Sequence, residues 1–180
     1  MRVFFEERKM KTLHTRNDKI YNPLDIAELV IMDRDWVFDR PDDGELVAEV
    51  SGSWCNYRMW FTWQKEAGQE ESGGLTLSCA FDNKFPKPSI AKIHSLLAVV
   101  NEKLWLGHFG LCSEDNSIVF RHSLLLRDGA GTTAEHLQEL LDIAINECER
   151  FYPAFQSVIW GGKTPAEALE IALFETIAEA

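Results

Sequence analysis

The chain has 180 residues, 46% hydrophobic and 11% aromatic, with 29 Asp/Glu against 18 Lys/Arg and a net charge of −11. This composition excludes wholesale disorder and gives the chain enough apolar material for one domain with a sizeable core. The charge argues against nucleic acid or an anionic membrane as the main partner.

The charge is uneven. Residues 1–20 hold six Lys/Arg against three Asp/Glu, and the remaining 160 hold twelve against twenty-six. Residues 1–20 are mixed in sign and without periodicity, so a flexible extension is expected there, with a single domain over 21–180. Asn22-Pro23-Leu24-Asp25 reads as a helix opening, with Asn22 as cap, Pro23 at the first helical position and Asp25 near the positive helix end. Leu24, Ala27, Val30 and Ile31 share one side of that helix, which should stop near Asp35. Val37 to Arg40 looks extended and leads into the turn Pro41-Asp42-Asp43-Gly44.

Three alternating runs follow. Leu46, Ala48 and Val50 mark the first. In the second, Tyr57, Met59, Phe61 and Trp63 point one way, and Trp54, Asn56, Arg58, Trp60, Thr62 and Gln64 the other. Lys65–Gly74 is polar and acidic, and is expected to be a loop at a hairpin tip. Leu75, Leu77, Cys79 and Phe81 then return on the apolar face. Pro86-Lys87-Pro88-Ser89 leads into a helix whose stripe is Ile90, Ile93, Leu97, Val100 and Leu104. Phe109 and Leu111 alternate next. Glu114-Asp115-Asn116-Ser117 turns the chain, and Ile118, Phe120, His122, Leu124 and Leu126 form the returning strand.

Gly129-Ala130-Gly131 breaks the chain before Thr132-Thr133-Ala134-Glu135, which has the form of a capping box. The helix it opens carries Leu137, Leu140, Leu141, Ala144, Cys148 and Phe151, and Pro153 should kink or interrupt it. Thr164-Pro165-Ala166-Glu167 opens a last helix. The sum is an α+β domain: an antiparallel sheet of about five strands with helices packed on one face.

No reaction chemistry emerges. Gly162-Lys163-Thr164 has the ending of a phosphate-binding loop, but the glycine required five residues earlier is Ser157 and the preceding segment reads as helix. His108, Cys112 and His122 are zinc-type side chains without a fourth ligand at a usable spacing. The four cysteines form no close pair, as suits reduced thiols in a cytoplasmic protein. No catalytic residue, metal or cofactor is expected. Trp54, Arg58, Trp60 and Arg121 are the candidate partner-binding residues, because Trp and Arg together on the polar face of a sheet are typical of binding hot spots. Leu96 and Val99 lie round the central helix from its core stripe, so they are the candidate interface of a homodimer.

The chain resembles the YbjN-type proteins, a bacterial family named for sensory transduction regulation. The resemblance spans about residues 22–180. Its most recognisable pieces are Asn22-Pro23-Leu24, Phe81-Asp82-Asn83-Lys84, Asn101-Glu102-Lys103-Leu104-Trp105-Leu106-Gly107-His108-Phe109, Tyr152-Pro153-Ala154-Phe155-Gln156, Trp160-Gly161-Gly162-Lys163 and Glu175-Thr176-Ile177-Ala178-Glu179-Ala180. It implies a fold like that of type III secretion chaperones, and a non-enzymatic regulatory or chaperone-like role through a protein partner. It brings no catalytic set with it. The alternative is a small-molecule binder or enzyme with a pocket between sheet and helices.

Overall fold

A computed structural model describes residues 22–82, 90–127 and 131–178. The extension expected at 1–20 lies outside the described residues, as do Pro86-Lys87-Pro88-Ser89, Gly129 and Ala130. The chain order is α1 (Pro23–Asp33), β1 (Val37–Asp42), β2 (Glu45–Ser51), β3 (Asn56–Glu66), β4 (Gln69–Phe81), α2 (Ile90–Asn101), β5 (His108–Leu111), β6 (Ile118–Leu126), α3 (Ala134–Ile159) and α4 (Pro165–Ala178).

The strands form one antiparallel sheet in the order β1-β2-β3-β4-β6-β5. It has six strands because the extended Val37–Arg40 stretch pairs with β2, with Phe38 opposite Ala48. The expected loop at Lys65–Gly74 is mostly strand. Lys65 pairs with Gly73 and Glu66 with Gln69, so only Ala67 and Gly68 turn the chain. Polar residues can continue a ladder past the core, because backbone pairing does not require an apolar face.

The helices cover one face. Tyr57, Met59, Phe61, Leu77, Cys79 and Phe120 point toward them and are almost fully buried. The α1 helix packs on β2 and β3, and α3 on β4 and β6, while α2 sits against β5, α3 and α4. The first helix starts as its sequence requires: the Asn22 side chain accepts from the Leu24 N–H, with Pro23 at the first helical position. The cap of α3 is one residue later than expected. Thr133, not Thr132, accepts from the His136 N–H, and Thr132 is buried with its hydroxyl against His136 Nδ1. The Thr164/Glu167 box is as expected: the Thr164 N–H and hydroxyl donate to Glu167, and the Glu167 N–H donates to Thr164. The α3 helix runs on through Pro153 without interruption.

Candidate functional site

Period-2 alternation turns half of every strand away from the helices. On that outer face, strand register builds the row Val47, Trp60, Ser78, Arg121, His108, and beside it the row Glu49, Arg58, Ala80, Val119, Gly110. Arg58, Trp60 and Arg121 are therefore brought together, as the alternation implied. Arg58 is exposed, whereas Trp60 and Arg121 are half-buried. The Arg121 guanidinium reaches toward Gly110 on β5, with Nη1 3.8 Å from where a Cβ on that glycine would lie. Along β4 this face carries only the short side chains of Thr76, Ser78 and Ala80. They lie between Arg58, Trp60 and Thr62 of β3 and Val119, Arg121 and Ser123 of β6. Ser78, Ala80 and Val119 are buried, so this strip is covered and the accessible surface is that of the larger side chains.

Trp54 does not belong to this patch. The strand begins at Asn56, and the Gly52 N–H donates to the Cys55 carbonyl, closing a turn just before it. That turn swings Trp54 to the helix side, where its ring stacks on Tyr152 at 6.1 Å and 14°. A Cβ on Gly52 would strike the Tyr57 ring and the Glu149 carboxylate, so this turn needs glycine. Glu149 fixes the turn by accepting from the Ser53 N–H at 2.7 Å. Trp54 and Tyr152 wall an open cleft of about 520 Å³ with Pro153, Gln156, Ser157 and Ile171. Sequence alternation alone missed this cleft, since its residues come from a turn, a helix face and the next helix.

The expected dimer face is also different. Leu96 is fully buried inside the chain, and Val99 is half-buried against the same core. The α2 helix meets α3 and α4 as well as β5, so its apolar surface is wider than one stripe for intramolecular reasons. The premise that Leu96 and Val99 are left over for a second copy does not hold.

His122 lies on the inner face, opposite Leu77. Burial, followed by the nearby His136 and His108, pushes its pKa down. Among the described residues, no three His, Cys, Asp or Glu side chains gather to hold a metal. The four cysteines are free thiols, and burial raises the pKa of Cys55 and Cys148. No helix among the described residues is long and apolar enough to cross a membrane.

These features define an α+β protein of one antiparallel sheet, helices on one side and an aromatic and basic patch on the other. The chain belongs to the YbjN family: the family model, described as "Putative bacterial sensory transduction regulator", matches residues 23–157. A similar solved structure is that of YbjN from E. coli, described as "a putative transcription regulator", at 10% identity and a TM-score of 0.47. The match covers 72% of this chain and 88% of that one. No curated protein matches the chain.

Proposed function

We propose that this protein is a non-enzymatic regulator that acts by binding another protein on the outer face of its sheet. The carrying observation is the one-sided distribution of helices, which leaves Trp60 between Arg58 and Arg121 on the other side. Trp and Arg supply much of the energy of protein interfaces, because each offers a large contact area together with directed polar groups. The family description as a regulator agrees with this reading. The test is affinity capture from a bacterial lysate, with mass spectrometry, using wild type and Trp60→Ala. Partners captured by wild type and lost by a variant of unchanged melting temperature support the reading. The same partners with both proteins overturn it.

A second reading, small-molecule binding, is favoured by the open cleft beside the stacked Trp54–Tyr152 pair. An aromatic side with Gln156 and Ser157 nearby suits a weakly polar ligand. A ligand-library thermal-shift screen tests it. A compound that stabilises wild type but not Trp54→Ala supports this reading, and no Trp54-dependent stabilisation across the library refutes it.

A further inference from the structure

Six arginines fall among the described residues: 34, 40, 58, 121, 127 and 150. Four of them are paired. Arg34 meets Asp142, Arg40 meets Asp25 and Glu28, Arg127 meets Glu66, and Arg150 meets Glu147. Arg58 and Arg121 make no ion pair among the described residues, and both lie on the outer face of the sheet. In a chain with 29 acidic residues, carboxylates are abundant and arginines rarely need to go unpaired. Even Glu49, directly opposite Arg58 in register, makes no ion pair with it.

We infer that this face takes an acidic segment of a partner protein, an extended stretch bearing Asp or Glu side chains. The inference rests on the protein-binding reading above and names the chemistry of the partner. The segment lies across the accessible parts of Arg58, Trp60 and Arg121, since Ser78, Ala80 and Val119 between them are buried and give it no floor. Arg58 and Arg121 sit two strands apart, on the order of 10 Å in the pairing direction, so they reach carboxylates on different residues of one peptide. Guanidinium groups suit this task because they hold a carboxylate through two parallel N–H donors. Trp60, between them in the adjoining rows, is the apolar anchor. Asp39 on β1 and Glu45 and Glu49 on β2 put acidic side chains at the β1–β2 side of this face, so an acidic segment is directed toward β4 and β6 and away from β2. The negative body of the protein slows encounter with any polyanion, which works most strongly against nucleic acid with its dense phosphate charge. Local arginine pairing then sets which partner is kept.

The experiment measures fluorescence anisotropy with three labelled probes of equal length: a peptide of alternating Glu and Leu, one of alternating Lys and Leu, and a single-stranded oligodeoxynucleotide. The proteins are wild type, Trp60→Ala and the double variant Arg58→Gln/Arg121→Gln. The expected result is saturable binding of the Glu/Leu peptide, weakened about tenfold or more in the double variant, as for lost charge-assisted contacts. Equal or tighter binding of the Lys/Leu peptide or the oligonucleotide overturns the inference, as does full binding by the double variant. Should that variant fold poorly, the NMR resonances of wild type decide. Shifts on adding the Glu/Leu peptide must centre on Arg58, Trp60 and Arg121, and shifts centred elsewhere overturn the inference. Capture lost with Trp60→Ala while the double variant still binds the Glu/Leu peptide removes the acidic partner and leaves the protein-binding face intact. Capture unchanged in Trp60→Ala removes the face itself.

Discussion

The side-chain amide of Asn101 accepts a hydrogen bond from the backbone N–H of Phe109 at 2.8 Å and donates one to its carbonyl at 3.0 Å. It does for the edge strand β5 what another strand would do. Asn101 is the last residue of α2, so the same contact ends the helix and ties it to the sheet. The edge of β5 is thereby closed at its central position, and exposed edges invite unwanted pairing between chains. This explains part of the run from Asn101 to Phe109 that carries the family resemblance: the two ends of the run are bonded to each other.

Asn101→Ala should therefore be costly for a partly buried polar substitution. It strands the Phe109 N–H and carbonyl next to the core, a loss of about 1–3 kcal/mol. Asn101→Asp keeps the acceptor but loses the donor, and should also fall below wild type. Urea midpoints measure both. A loss for Asn101→Ala of less than about 0.5 kcal/mol, the range of ordinary surface changes, would show that the pair contributes nothing.

Gly107, within the same run, makes a second test. Its φ is +68°, and a Cβ there would collide with the Phe120 ring and come within 2.9 Å of the Arg121 carbonyl. Both the backbone conformation and the space demand glycine. Gly107→Ala should cost more than the roughly 1 kcal/mol that φ strain alone brings, because Phe120 is fully buried and cannot yield. Thermal unfolding of the variant decides; a melting temperature equal to wild type would contradict the close approach.

The sequence was legible where one periodicity met one buried face. Tyr57, Met59, Phe61 and Trp63, then Leu75, Leu77 and Cys79, alternate as the core demands, and they lie where the pattern put them. The first strand was legible as extended chain but not as a sheet member. As an edge it exposes Val37 and Asp39 and only half buries Phe38, so its alternation is weak. Arg58, Trp60 and Arg121 share a face because register carries period 2 across strands. The same alternation carried two residues further, to Trp54, fails because a turn held by Gly52 and Glu149 intervenes. Helical spacing offers Glu147 to Arg150, but the long-range arginine partners were not legible: that of Arg34 is 108 residues away.

Leu96 shows the same limit on helices, and its substitution has a definite consequence. A helical stripe states which side is apolar, not how many neighbours cover it. Since Leu96 is enclosed by its own chain, Leu96→Glu should unfold the protein rather than yield a folded monomer. A buried, unpaired carboxylate costs several kcal/mol, enough to consume much of a domain's stability. Leu97→Ala should cost about 2–5 kcal/mol by leaving a cavity. Circular dichroism with light scattering checks both. A well-folded Leu96→Glu protein of reduced mass would restore the helix as a subunit interface.

The last prediction concerns pH. Glu147 is a buried carboxylate on α3, with Arg150 at 3.5 Å. One of its oxygens has no hydrogen-bond partner. Burial raises its pKa above the ordinary 4.5, and the opposing pull of Arg150 is smaller. An acid with a raised pKa keeps its proton longer in the folded chain than in the unfolded one. Between the two pKa values the folded state binds more protons, so stability falls as pH rises through that window. Below 4.5 Glu147 is neutral in both states and the penalty vanishes; above the folded pKa the full penalty remains. Glu147→Gln should remove it, making the variant more stable than wild type at neutral pH, with the difference shrinking as pH drops below 4.5. Arg150 tolerates the change because its guanidinium also lies over the Phe151 ring, 4.9 Å from the centroid. Urea unfolding of both proteins across the acid range measures the difference. A variant less stable than wild type at neutral pH, with the gap closing toward acid, would mean that the Glu147–Arg150 attraction outweighs burial and that the carboxylate stabilises the fold.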